Sequence, residues 1–174
     1  MSDLKDVVGD YETFINKMIV KVKAEGFDFK DFVQLDVLCY KTASKSSYAV
    51  LKEKLNSVGV LLVEAEVGGR PIATFRLDKS IYCEGWRIDT IELPAPKEDD
   101  QAEGLDHIQF VLFSSLEDFM RKYSDKEFDT KAMGRATNPM ITYRFDEGLS
   151  VKFHILSLAS AIYIESKLRN EGTV

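Results

Sequence analysis

The chain holds two histidines, and both fall inside strand-like runs: His107 in "GLDHIQFVLF" and His154 in "SVKFHILS". A strand sends alternate side chains to one face. His107 therefore shares a face with Gln109, and in the earlier run "VQLDV" Gln34 shares one with Asp36. Glu92 in "TIELP" and His154 in "KFHIL" stand at matching places near the ends of later strands. Gln34, Glu92, His107 and His154 together offer an amide, a carboxylate and two imidazoles. Those are donor types that a divalent zinc, nickel, manganese or iron ion accepts. Held on converging strands, such an ion acts as a Lewis acid on a substrate with neighbouring oxygens. Glu92 beside it is placed to serve as general base. Taken singly, each of the four would be satisfied by a backbone partner; recurrence at equivalent positions is what points to a shared site.

Two cations are candidates for substrate binding. Arg70 follows the Gly68–Gly69 turn and can grip an anionic group through its fork. Lys152 lies two residues before His154, shares its face, and can hold an oxyanion. Tyr40, Trp86 and Tyr143 read as packing residues at a pocket rim. Cys39 and Cys83 form no metal motif and read as reduced, half-buried thiols. No serine–histidine or cysteine–histidine pairing stands out, and there is no glycine-rich phosphate loop.

The elements that must position these residues follow from hydrophobic period. Leu4, Val7, Val8, Tyr11, Phe14, Ile15, Met18, Ile19 and Val22 form one helical face, predicting an N-terminal helix over 3–25, stopped by Gly26. Module one, over 32–94, reads as a strand, a helix carrying Tyr48, Leu51 and Leu55, a hairpin turning at Gly68–Gly69, and a last strand. Residues 95–103 are a polar, acidic linker expected to be solvated. Module two, over 104–156, repeats the order β-α-β-β-β, with a weak second strand between Phe128 and Thr137. A C-terminal helix over 157–171 closes the chain.

With 174 residues, 45% of them hydrophobic, the sequence suits a single domain over 1–174. A net charge of -6 repels phosphate backbones, which argues against a nucleic-acid partner. No apolar run approaches the roughly 20 residues that cross a bilayer. The acidic N-terminus does not read as a signal peptide. The expectation is a cytosolic protein, monomeric or homodimeric, that binds a small molecule.

Four stretches then carry a resemblance: "GRPIATFRL" (69–77), "WRIDTIELPAP" (86–96), "GLDHIQFVL" (104–112) and "VKFHILS" (151–157), with Asn138 and Pro139 between them. They resemble the YecM family, and the paired modules look like the vicinal-oxygen-chelate superfamily of glyoxalase I, extradiol dioxygenases and bleomycin-resistance proteins. The resemblance implies an α+β fold, with two βαβββ modules forming an incomplete mixed β-barrel around a central cavity. The N- and C-terminal helices would pack outside it. It carries Glu92, His107 and His154 over as retained polar positions, while Gln34 stands where the family more often has histidine. The implied function is a metal-dependent isomerase or lyase. The alternatives are a non-haem Fe(II) dioxygenase and a metal-free small-molecule binding protein.

Overall fold

The polar and apolar sides of the strands sort onto the two faces of one sheet. The computed structural model describes residues 3–171; residues 1, 2 and 172–174, which the single-domain reading includes, lie outside the described residues. In chain order the elements are α1 (Leu4–Val8), α2 (Tyr11–Ala24), a 3-10 turn (Phe29–Asp31), β1 (Phe32–Lys41), α3 (Lys45–Leu55), β2 (Gly59–Val67), β3 (Arg70–Cys83) and β4 (Trp86–Pro94). After the linker come β5 (Gly104–Leu112), α4 (Leu116–Lys122), β6 (Phe128–Asp129), β7 (Met140–Arg144), β8 (Ser150–His154) and α5 (Leu158–Asn170).

All strands join one eight-stranded mixed sheet in the order β2-β3-β4-β1-β5-β8-β7-β6. Each module places its last strand parallel to its first, β4 beside β1 and β8 beside β5. The two first strands pair antiparallel and join the halves. The sheet is not closed into a barrel: β2 and β6 are free edges. One face is covered by helices. Leu35, Leu38, Ile108, Phe110 and Phe153 are fully buried there, against Ile15 and Met18 of α2 and Phe119 of α4. Phe32 stacks on Phe110 with ring centroids 4.3 Å apart, and Phe119 lies 4.7 Å from Phe153.

Three features differ from the sequence expectations. The N-terminal helix is two helices, because Gly9 takes φ +79° and the Asp10 side chain restarts the ladder by accepting from the Thr13 N–H. The acidic linker is pinned rather than merely solvated: Asp99 accepts from the Lys45 N–H and Glu103 from the Ala43 N–H, at the start of α3. The C-terminal helix does not pack outside. It crosses the opposite face of the sheet, where Leu158, Ala161, Ile162 and Glu165 wall a cavity against β2, β3, β4, β7 and β8. Ser157 caps α5, and the Leu158 N–H donates 2.6 Å to the buried carboxylate of Asp36 on β1. A buried acceptor at the helix N-terminus satisfies an orphan donor and the dipole together.

Two stability effects follow. Phe110→Ala should cost about 3–5 kcal/mol in urea unfolding, whereas Val33→Ala, at a half-exposed position of β1, should change it by less than about 0.5 kcal/mol. Ser157→Ala removes a cap worth about 1 kcal/mol; amide exchange should speed up in α5 and stay unchanged in β1 and β5.

Candidate functional site

Register places the candidate residues on the face that carries the cavity. Cys39 pairs with Glu92 on β4 and with His107 on β5, and His107 pairs with Ser150 on β8. The neighbouring line runs Thr90, Val37, Gln109, Lys152 and Thr142. A third runs Gln34, Val111, His154 and Met140. Val37 and Gln109 face each other at the centre, with Cys39–His107 on one side and Gln34–Val111 on the other. Exchanging the modules about that centre puts Gln34 in the place of His107 and Glu92 in the place of His154.

The four residues form two clusters. In one, Gln109 Nε2 donates to Glu92 Oε2 at 2.6 Å and lies 3.2 Å from His107 Nε2. His107 Nε2 is 3.8 Å from Glu92 Oε2, and its Nδ1 is 2.8 Å from Asp106, which also pairs with Lys41 at 3.1 Å. In the other, the Gln34 amide donates to Asp36 at 3.3 Å, and His154 Nε2 lies 3.4 Å from Asp36. Asn138 Nδ2 is 3.0 Å from His154 Nδ1 and donates to the Leu156 carbonyl. Among the described residues, Cys39, Asp106 and His107 are the group of three cysteine, histidine or acidic side chains with donor atoms within 4.8 Å of one another. Glu92, His107 and His154 are not preassembled to that tolerance.

The cysteine–histidine contact is one that sequence reasoning missed. Cys39 and His107 meet only through the antiparallel pairing of β1 with β5. Pairing the two first strands about a common centre is the signal that would have found it. Residue pattern alone gives Asp36, Gln109 and Asn138 no role, although each ties a histidine or carboxylate in place.

The two clusters are electrostatically opposite. Burial drives His154 down to about 4, against the upward pull of Glu92, so its ring is neutral at pH 7. Burial lifts Asp36 to about 6, against the Leu158 N–H. Burial also works against the His107 cation, but the Cys39 sulfur and the Asp106 carboxylate outweigh it and hold this ring upward. Burial would raise Glu92, yet the His107 ring, the Lys152 charge and the Gln109 bond bring it down to about 2. Gln109 Nε2 stands between Glu92 and the His107 ring, and its buried Oε1 makes no hydrogen bond.

A cavity of about 530 Å³ opens on this face, and of the predicted residues Glu92 and Lys152 line it. Gln34, His107 and His154 are not among its lining residues. Arg70 is not among the lining residues; its guanidinium donates to the Ala95 carbonyl at 3.2 Å and braces the β3–linker corner. Thr74, Arg135 and Asn138, which the sequence does not mark as site residues, also line the cavity.

The family description "YecM protein" matches residues 3–133, three quarters of the chain. The chain belongs to the YecM family. Protein YecM of Escherichia coli (strain K12) is 26% identical over 115 residues, covering 64% of this chain and 60% of that relative, so the match spans less than two thirds of the relative's length. A structural-genomics protein, "Protein EC4020", superimposes with a TM-score of 0.77 at 21% identity, covering 95% of this chain and 97% of that one. Methylmalonyl-CoA epimerase from Mycobacterium tuberculosis does so with a TM-score of 0.52 at 12% identity, covering 79% and 98%. These likenesses show the fold. No described helix is long and apolar enough to cross a membrane.

The histidines should titrate apart. His154, with a folded value of about 4 below the unfolded value of about 6.5, contributes stability above pH 6.5 that is lost as pH falls from 6.5 toward 4. Asp36, raised to about 6, works the other way: its protonation regains stability as pH falls through 6. Asp36→Asn keeps the acceptor for Leu158 and removes that offset. It should therefore lose stability more steeply than the parent between pH 6.5 and 4 in pH-dependent melting.

Proposed function

We propose that the chain is a metal-dependent enzyme of the vicinal-oxygen-chelate type, an isomerase or lyase acting on a small substrate with adjacent oxygens. The observation that carries this reading is Glu92. It is the candidate ligand that both opens onto the cavity and lies beside a histidine whose other nitrogen is held by a carboxylate. The donors fit the ion. Glu92 Oε2 and His107 Nε2 are 3.8 Å apart, a separation both can span to one ion at ligand bonds of about 2.0–2.2 Å. His154 Nε2 and Gln109 Oε1 are buried and make no hydrogen bond. The likeness to methylmalonyl-CoA epimerase structures supports the same fold-level expectation.

Glu92 and His107 would hold the ion once His107 gives up its Nε2 proton, and Asp106 would fix the His107 tautomer from behind. Gln34 and His154 would join only by leaving Asp36. A divalent ion bound there supplies Lewis acidity toward substrate oxygens. Lys152 adds a fixed positive charge on the same wall, favouring negative charge that develops on the substrate. Glu92 at about 2 is a poor proton acceptor while Gln109 and His107 hold it, since a general base works best near the working pH. Its base role requires release from those two partners.

The second reading is a metal-free binding protein of this fold. It is favoured by the protein contacts that Gln34, Glu92, His107 and His154 already make. Metal analysis of protein purified without a histidine tag separates the two. The metal reading expects bound divalent ion, its loss in Glu92→Gln, and affinity lowered by about 10–100-fold in Asp106→Asn. Equal metal content in Glu92→Gln and the parent would end it. Oxygen uptake during turnover distinguishes the iron-dependent dioxygenase alternative from an isomerase or lyase.

A further inference from the structure

The half-buried lysines of this protein are paired, with one exception. Lys21 reaches Glu147 at 3.3 Å, Lys41 reaches Asp106 at 3.1 Å, Lys126 reaches Glu25 at 3.2 Å, and Lys52 pairs with Glu64. Lys152, among the described lysines of that burial, has no carboxylate within 4.0 Å. It lies on β8 beside Gln109 and lines the cavity beneath α5. Half withdrawn from water and with no carboxylate in contact, although Glu92 stands on the same wall, this ammonium gains from an anion at hydrogen-bond distance. On the same rim the Arg135 guanidinium donates to the Met140 sulfur at 3.5 Å and, among the described residues, has no carboxylate within 4.0 Å. Asn138, 6% exposed, lines the cavity, and its buried Oδ1 makes no hydrogen bond. Much of the remaining wall is apolar, including Ile72, Met140 and Ile162.

We infer that the cavity takes a small carboxylic acid with an apolar tail, its carboxylate held by Lys152 and its tail against Ile72, Met140 and Ile162. This rests on the cavity being the working site proposed above and names the substrate class for it. A single negative charge fits better than a phosphate dianion, because Glu66, Glu92 and Glu165 stand on the same walls and repel a second one. The ammonium gives the charge-assisted bond, and the Arg135 fork stands at the rim to share it.

Ligand-observed NMR on the full chain tests it, with isovalerate and phenylacetate as probes and isovaleramide, phenylacetamide and inorganic phosphate as comparators. Binding is measured in EDTA-treated and in zinc-loaded protein. At least one acid should bind about tenfold or more tightly than its amide, the scale of one charge-assisted bond, and more tightly than phosphate. Lys152→Met should erase the acid preference and Lys152→Arg should keep it. Lys152→Gln repeats the test if the methionine variant melts early. Failure of both acids to bind, equal binding of acid and amide, a preference for phosphate, or an unchanged preference in folded Lys152→Met and Lys152→Gln overturns the inference. An acid preference that persists while zinc fails to bind removes the metal reading and leaves this one standing. Zinc binding without an acid preference does the reverse.

Discussion

The structure depends on the antiparallel pairing of β1 with β5. Leu35 opposite Phe110 and Leu38 opposite Ile108 are fully buried, and they sit where the helices of both modules meet the sheet. The same register sends Cys39, His107, Val37 and Gln109 to the other face. A slip of one residue would exchange the two sets, burying histidine among phenylalanines and exposing the core to the cavity. Irregularities between Phe32 and Gln34 and between Leu35 and Val37 absorb extra residues of β1. The second of these frees Asp36 to turn toward α5 and His154.

That pairing makes the polar face nearly symmetric in position and asymmetric in charge. The Glu92–His107 end gathers Asp106, Lys41 and Gln109, and the anion there is held strongly ionised. At the Gln34–His154 end, burial favours neutral forms of both the acid and the imidazole. Lys152 lies between the two lines of residues, one register step from each, and its charge is felt by Glu92, His107 and His154 alike. Repetition supplied equivalent places, and divergence gave one of them the stronger claim on a cation.

Much of this was legible from residue pattern. Strand alternation picked out β1, β5 and β8, and the repeat of β-α-β-β-β matches the element order. What escaped were contacts set by tertiary pairing. The Gly9–Asp10 break was hidden because Leu4, Val8, Ile15 and Met18 keep a helical spacing across it. Arg70 stands beside its turn as expected, and pairing of β3 with β4 brings the Ala95 carbonyl within reach of one of its guanidinium nitrogens. The placement of α5 was out of reach because its pattern is weakly amphipathic: Ala161 is its fully buried residue, and Tyr163 and Ile164 face solvent. A helix with so little apolar commitment gives no sign of which face it covers.

That weak commitment also bears on how the cavity is entered. α5 forms one wall of the pocket while burying little side-chain surface of its own, and its firm polar attachment is the Leu158 N–H on Asp36. Elements with few buried apolar contacts open at the lowest free energy in a fold. The sheet beneath is fixed by Phe32, Phe110, Phe119 and Phe153, packed on its far side. The walls of the cavity that carry Glu92 and Lys152 are therefore rigid, and its cover is the part least costly to move.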